Sequence, residues 1–428
     1  MDARLTSRSQ WTQRALVFLL FAGSVIAMSA AVALAAGQWV VSSRNLVTLL
    51  PQSPAPTPVD SAGTTLPGAV GANPDNSDPV EVAFPTAEPE ARNFLVTGTD
   101  NNSCLDPDSP FAGGFGDRTS FGERSDTIMV WRVNPSTRQV AVLSFPRDLY
   151  VDIADGGKAR INTAFKSNDP ERLRATILNN FGIPIDHYVQ VDFCAFERMV
   201  DAVGGVEVPF AYPARDAGSG LNVPVTGCFN FAGDHALAYV RSRAYQYEDP
   251  PGSGRWRRDG TGDWGRIARQ QDFLRRTVAT VLSRGLYTPS VVAALIETNS
   301  AYLTMDSGLT VNRLLQFAGV IQGLDPMGIG SYQIESTPEM IAGKAVLVPQ
   351  INNENMRAIL DVFRGAALLS EAPPLDLETP PSTTSPMTGS TLPSDDTTGD
   401  PQESADLPSV SAEENLLGIA PPRDMTCP

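Results

Sequence analysis

Two aspartates beside strand-like segments are the first residues whose positions suggest chemistry. Asp100 closes the run NFLVTGTD and Asp126 opens DTIMVWRV. If the two segments are neighbouring strands, both carboxylates meet at one edge of a sheet. A carboxylate pair with few other ligands is how proteins hold Mg2+ beside substrate phosphates, the ion taking its remaining ligands from phosphate and water. The competing reading is that each Asp caps a strand end or shapes a turn. Arg124 precedes Asp126 by two residues, and Arg147 and Asp148 follow the next strand in SFPRDLYV, where Pro146 fixes the backbone before Arg147. A surface Arg–Asp pair would look the same. Arg160, in the tripeptide RIN, fits an ordinary turn equally well.

The densest charge lies in residues 241–276, which hold nine Arg and five acids. Arg241 and Arg243 alternate in YVRSR, so an extended segment would place them on one face. Asp263, Arg266 and Gln270 open a helical stretch. Arg266 and Gln270 are one turn apart, beside an apolar stripe of Ile267, Leu274, Val278 and Val281. Arginine offers phosphate two parallel charged hydrogen bonds from a planar fork. An anionic, phosphorylated ligand is one reading of this region, and a solvated charged face is the other. Nucleic acid is set aside, because the chain is acidic overall, with net charge −16. Only two His occur, no CxxC pair exists, and no P-loop, GxSxG or HExxH pattern is present. Of the 32 basic residues only Lys158, Lys166 and Lys344 are Lys. A high-GC genome and phosphate recognition both explain that bias.

Short β-branched runs bounded by Gly or Pro must hold these residues: Asn93–Thr97, Asp126–Val133, Gln139–Phe145 and His187–Phe193. Their continuous apolar character predicts strands covered on both faces. Helical spacing is found over Pro170–Phe181, Ala195–Val203, Arg266–Ser283, Pro289–Glu297, Val311–Ile321 and Glu354–Arg364. The mixture predicts one α/β or α+β domain over residues 93–370. Ahead of it, residues 15–36 are uncharged over 22 positions, and as a helix would rise roughly 33 Å at about 1.5 Å per residue, enough to span a bilayer core. Arg4, Arg8 and Arg14 precede this run. The positive-inside rule then makes residues 1–14 a cytoplasmic tail and 15–36 a single-pass anchor, with the rest outside. A cleaved signal peptide is the rival, and it too exports the chain. Residues 37–92 read as a disordered extracytoplasmic linker and 371–428 as a Pro/Thr/Asp-rich tail. The tail ends in NLLGIAPPRDMTCP, apolar enough to dock back. An exported domain keeps disulfides. Cys194 follows the strand His187–Phe193 and Cys228 precedes GDHALAYVRSR, so the expected bond is Cys194–Cys228, leaving Cys104–Cys427.

The order GTD, RSDTIMV, SFPRDLYV, RIN-AF, HYVQVDF, VDAVGGVEV, HALAYVRSR and D-GRIARQQ-FL, from about Asn93 to Leu282, resembles the LytR–CpsA–Psr family. The resemblance implies an α/β domain with a mixed central β-sheet flanked by helices, anchored in a Gram-positive, high-GC cell membrane. It implies an enzyme that moves a glycopolymer from a polyprenyl-pyrophosphate carrier to peptidoglycan or a surface protein, releasing polyprenyl phosphate. Asp100 and Asp126 would face Mg2+. Arg124, Arg147, Arg241, Arg243 and Arg266 would hold the pyrophosphate, while Asp263 and Gln270 position the arginines or the acceptor. Arg160 stands where the family usually has Lys, so the charge survives. The segments Cys104–Glu123 and Tyr245–Gly262, the latter carrying Arg255, Arg257 and Arg258, are insertions. A polyprenyl-pyrophosphate pyrophosphatase and a non-catalytic envelope regulator are the alternatives.

Overall fold

The computed structural model describes residues 45–52, 90–100, 109, 111, 125–167, 169–285, 302–321, 324–370 and 407–427. The chain separates into two units, 1–45 and 46–428, and the second holds every element described apart from Asn45. The expected membrane segment 15–36, the helix Pro289–Glu297, Cys104 and Arg124 lie outside the described residues. Among the described residues, no helix is long and apolar enough to cross a membrane.

Seven strands form the main sheet: β1 (Asn45–Val47), β2 (Arg92–Thr99), β3 (Ser125–Asn134), β4 (Gln139–Ser144), β5 (His187–Val191), β6 (Leu303–Asp306) and β7 (Gly330–Gln333). Their order is β1-β6-β5-β2-β3-β4-β7. β2 runs antiparallel to β3 and parallel to β5, and β4 runs antiparallel to β3 and parallel to β7, so the sheet is mixed. Among the described residues six helices accompany it: α1 (Glu171–Phe181), α2 (Phe193–Ala202), α3 (Gly233–Arg241), α4 (Asp263–Ser283), α5 (Val311–Ile321) and α6 (Glu354–Arg364). Side-chain alternation along the central strands feeds two apolar layers. Leu95, Ile128, Val130 and Leu143 pack with α1 and α6 on one side. Phe94, Met129, Val140 and Val142 face α4 and α5 on the other. The expectation of strands covered on both faces is met.

A second lobe packs against the far side of α4. Its core joins Val206, Val208, Phe210 and Phe231 to Tyr239 of α3 and Phe273 of α4. It carries the antiparallel pair Val206–Phe210 and Gly227–Phe231, and a four-stranded sheet in the order Leu221–Val223, Ala214–Asp216, Gln246–Glu248, Trp256–Arg258.

Several expectations are corrected. Residues 45–52, assigned to the linker, belong in part to the fold, since Val47 accepts a backbone hydrogen bond from Ser307 at 2.8 Å. Arg241 and Arg243 do not alternate on a strand. Arg241 is the last residue of α3, whose residues Ala236–Val240 are buried on every side, and Arg243 lies just beyond. The apolar stripe of α4, Ile267, Leu274, Val278 and Val281, lies on one side of the helix and meets different neighbours along its length: Leu274 and Val278 the sheet, Val281 the second lobe, and Ile267 the C-terminal segment.

The docked chain end explains that third contact. The strand Ser409–Ser411 pairs in parallel with Leu368–Ser370, and Asn415 exchanges hydrogen bonds with the Gln333 backbone at 2.9 and 3.0 Å. The segment then passes so close to α4 that a Cβ on Gly418 would lie 2.4 Å from the Gly265 Cα. It ends in a Cys228–Cys427 disulfide. The expected pairs Cys194–Cys228 and Cys104–Cys427 are therefore both wrong: the chain end reaches the Gly227–Phe231 strand rather than the loop after Asp100. Cys194 is also disulfide-bonded, and no described cysteine is free.

Candidate functional site

The site lies where β2 ends and β3 begins. Thr99 pairs with Ser125 across the two strands, so the following residues, Asp100 and Asp126, come to the same edge of the sheet. Asp100 is buried. Asp126 accepts a hydrogen bond from Arg147 Nη1 at 2.8 Å, and its backbone oxygen accepts one from Arg266 Nη2 at 2.6 Å. Burial opposes ionisation of Asp126, but the charges of Arg147, Arg266 and Arg243 outweigh it and hold its carboxyl below the ordinary carboxylate value. Burial likewise opposes the Arg147 charge, and Asp126, Asp263 and Asp148 overcome it, so its pKa is raised. For Arg243 the balance is reversed: burial, then repulsion from Arg147 and Arg266, lowers its pKa against the pull of Asp126 and Asp263.

Arg147, Arg243 and Arg266 thus crowd around Asp126 and Asp263 although they come from three parts of the chain. Arg147 follows β4, where Pro146 turns the backbone toward the β3 start. Asp263 and Arg266 sit on the first turn of α4, with Asp263 Oδ1 3.0 Å from Arg266 Nη2. Gln270, one turn on, donates to Thr127 Oγ1 and to the Val240 carbonyl, both at 3.0 Å, tying α4 to β3 and α3. Arg241 stands with its guanidinium 4.6 Å from the Phe193 ring. Arg160 is linked one step outward: its Nη1 lies 3.2 Å from Asp148 Oδ1, and Asp148 Oδ2 lies 3.4 Å from Arg147 Nε. Arg124 lies outside the described residues.

Sequence reasoning missed Asp216. It is buried, and one of its oxygens accepts from Ser242 Oγ at 2.7 Å, Arg243 N at 3.0 Å and Ala244 N at 2.8 Å. It fixes the backbone that presents Arg243. An Asp ahead of the turn-forming AGSG is the only signal, and it reads as an ordinary turn residue. The arginine excess also misleads in part. Arg269 is a buried support, paired with Asp259 at 3.0 Å and donating to the carbonyls of Ser242 and Ile419. Arg276 pairs with Asp272 at 2.9 Å and donates to Pro422 and Met425.

Among the described residues no group of three or more His, Cys, Asp or Glu could cage a metal ion. Asp100 and Asp126 at one sheet edge fit only a hard cation that takes its other ligands from substrate phosphate and water, as Mg2+ does. Several polar atoms nearby, Asp263 Oδ2, Arg266 Nε and Gln270 Oε1, are buried without a hydrogen-bond partner. Buried polar groups are rarely left so.

A mixed sheet between helical layers, with three arginines gathered on one aspartate at its edge, defines an α/β protein with an arginine-rich edge site. Residues 69–361 match the LytR_cpsA_psr family, and the chain belongs to that family. It is 33% identical over 242 residues to a probable cell wall biosynthesis protein, LcpB, of Corynebacterium glutamicum, covering 56% of this chain and 54% of that protein. It is 31% identical over 205 residues to the polyisoprenyl-teichoic acid–peptidoglycan teichoic acid transferase TagU of Halalkalibacterium halodurans, covering 48% of this chain and 58% of that one. The chain thus spans about half the length of these curated relatives. The fold is shared with crystal structures of B. subtilis TagV (TM-score 0.50, 22% identity, 65% of this chain and 98% of that one) and of a Streptococcus agalactiae protein (TM-score 0.50, 20% identity, 64% and 87%).

Proposed function

We propose that the protein is a phosphotransferase that moves a glycopolymer from a polyprenyl-pyrophosphate carrier onto peptidoglycan. The observation that carries this reading is the composition of one face of α4. Asp263, Arg266 and Gln270 occupy its first turns beside Asp126, and the same face continues as Leu274 and Val278. Those two residues, with Val96, Trp131, Val189 and Phe317, are the partly buried outer members of a layer whose core is Phe94, Met129 and Val142. A charged head beside an apolar lane suits an amphiphile whose phosphates meet the arginines and whose hydrocarbon lies along the sheet. The names of the relatives, a teichoic acid transferase and a cell wall biosynthesis protein, support the same reading.

In the reaction, a hydroxyl of the acceptor attacks the phosphorus bonded to the glycan. The bond from that phosphorus to the bridging oxygen breaks, polyprenyl phosphate leaves, and the hydroxyl proton passes to solvent. Negative charge grows on the phosphoryl oxygens and the leaving group. Preorganised guanidiniums stabilise it without covalent chemistry by the protein. Arg147 and Arg266 are oriented by Asp126 and Asp263, and Arg243 by the Asp216 clamp on its backbone. Asp100 and Asp126 would hold Mg2+, which adds positive charge against the same oxygens. Residues 15–36 would anchor the chain, keeping the site outside the membrane and near its lipid substrate.

Product analysis with labelled lipid-linked glycan and purified sacculi tests the reading. Label bound to the sacculi supports it. Label found on a surface protein moves the acceptor, water-released glycan makes the protein a pyrophosphatase, and unchanged donor makes it a non-catalytic regulator.

A further inference from the structure

The four-stranded sheet of the second lobe presents a row of polar side chains that the transfer site does not use. Its register aligns Asn222 with Arg215, Arg215 with Gln246, and Gln246 with Arg258. Residues paired across strands share a face, so these four side chains form one ladder. It is about 14 Å long, three interstrand spacings of roughly 4.8 Å. Asn222, Arg215 and Arg258 are exposed and Gln246 is partly so. Arg215 Nε donates to Gln246 Oε1 at 2.9 Å. Its guanidinium also lies 3.9 Å from the centroid of Trp256, which is on the same face as Arg258, two residues away. Among the described residues neither Arg215 nor Arg258 pairs with a carboxylate. Two guanidiniums, two amides and an indole in a line across an exposed sheet are the groups that bind sugar hydroxyls, sugar ring faces and carboxylates.

We infer that this face docks the peptidoglycan acceptor, a glycan strand whose stem peptides bear carboxylates, and feeds it to the site. The inference deepens the transfer reading and rests on it. Continuity with the site supports it. Arg215 is in the ladder, while its neighbour Asp216 points to the other side and clamps the backbone at Arg243. The hairpin that carries Gln246 and Arg258 leaves the chain between Arg243 and Asp263, both at the site. The choice of acceptor over donor follows from the layers. Phe273 and Val281 of α4 face the lobe that carries the ladder, while Leu274 and Val278 face the apolar lane on the sheet. Donor hydrocarbon therefore lies against the main sheet, whereas the ladder belongs to the second lobe.

The test is co-sedimentation of the purified full chain with sacculi stripped of attached polymers, in the absence of any donor. Binding should weaken as salt rises. Arg215→Ala/Trp256→Ala/Arg258→Ala should reduce it about tenfold, the scale of two exposed charge contacts and one aromatic contact. Hydrolysis or transfer of donor to a small soluble acceptor should stay at the wild-type rate, with an unchanged melting temperature. Sacculi with amidated carboxylates should bind wild-type protein no better than the triple variant binds native sacculi. Equal binding by variant and wild type, or competition by poly-glutamate as effective as that by soluble muropeptide chains, would overturn the assignment. Because no donor is present, a failure here is distinct from a failure of the transfer reaction.

Discussion

Asp126 is the residue on which the site's electrostatics turn. Three arginines hold its carboxyl below the ordinary value despite burial. A carboxylate shifted down stabilises the fold fully above its unfolded pKa, about 3.9, and that contribution is lost as pH falls through the lower folded value. Replacing it with Asn leaves Arg147, Arg243 and Arg266 facing one another. Asp126→Asn should destabilise by about 1–2 kcal/mol near neutral pH, a figure reduced for the solvent that reaches this half-open pair. Melting curves at successive pH values should show a constant gap from wild type between about pH 7 and 5, closing only below about pH 4. A gap that stays constant to lower pH would mean that the carboxylate is not held by its neighbours. This residue was legible in the sequence because strand ends can be read from apolar runs, and two Asp at such ends point to one sheet edge. Asp216 was not legible. It acts through three backbone and hydroxyl donors of the 242–244 segment, and nothing in a linear sequence shows which backbone an isolated Asp will hold.

At the scale of elements, α4 is the part on which the rest is assembled. One face carries the site in its first turns and packs on the sheet further along, Phe273 packs in the second lobe, and the docked chain end covers Ile267 and Ala268. The sequence showed a helix here and an arginine excess along it. It could not show that Arg269 and Arg276 are buried supports, because an arginine in a site and an arginine bonding a distant carbonyl are the same letter. The disulfides failed for a related reason: the expected pairs rest on the segments that Cys194 and Cys228 adjoin and, for Cys104 and Cys427, on elimination, whereas the bond joins Cys228 to Cys427, 199 residues apart. That separation gives the bond leverage on the unfolded chain. Loss of Cys228–Cys427 should cost about 2–5 kcal/mol, and Cys427→Ser should lower the melting temperature; reductant, which also opens the bond at Cys194, should lower that of the wild type by at least as much. An unchanged melting temperature in both would show that the docked segment is held by its hydrogen bonds alone.

Over the whole molecule, most strands and helices matched their expected spans because each has a single dominant period. Domain limits matched less well, since residues 45–52 and 407–427 join the fold by pairing with strands far away in sequence. The anchor at residues 15–36 is tested by adding protease to wall-free cells: residues beyond 93 should be degraded while the membrane stays intact, and their full protection would place the site on the wrong side for a wall acceptor. The central claim is that the arginine cluster handles the transferred phosphoryl group, and Arg243 tests it most directly. Arg243 still reaches solvent, although its neighbours partly desolvate it, and is crowded by two other cations, so its removal should not lower stability. The measurement is the initial rate of labelled glycan transfer to sacculi by Arg243→Ala, with its melting temperature recorded alongside. The account predicts a fold as stable as wild type and a rate lower by about 30-fold or more, from roughly 2 kcal/mol or more of lost phosphate contact. A wild-type rate from that variant would contradict it.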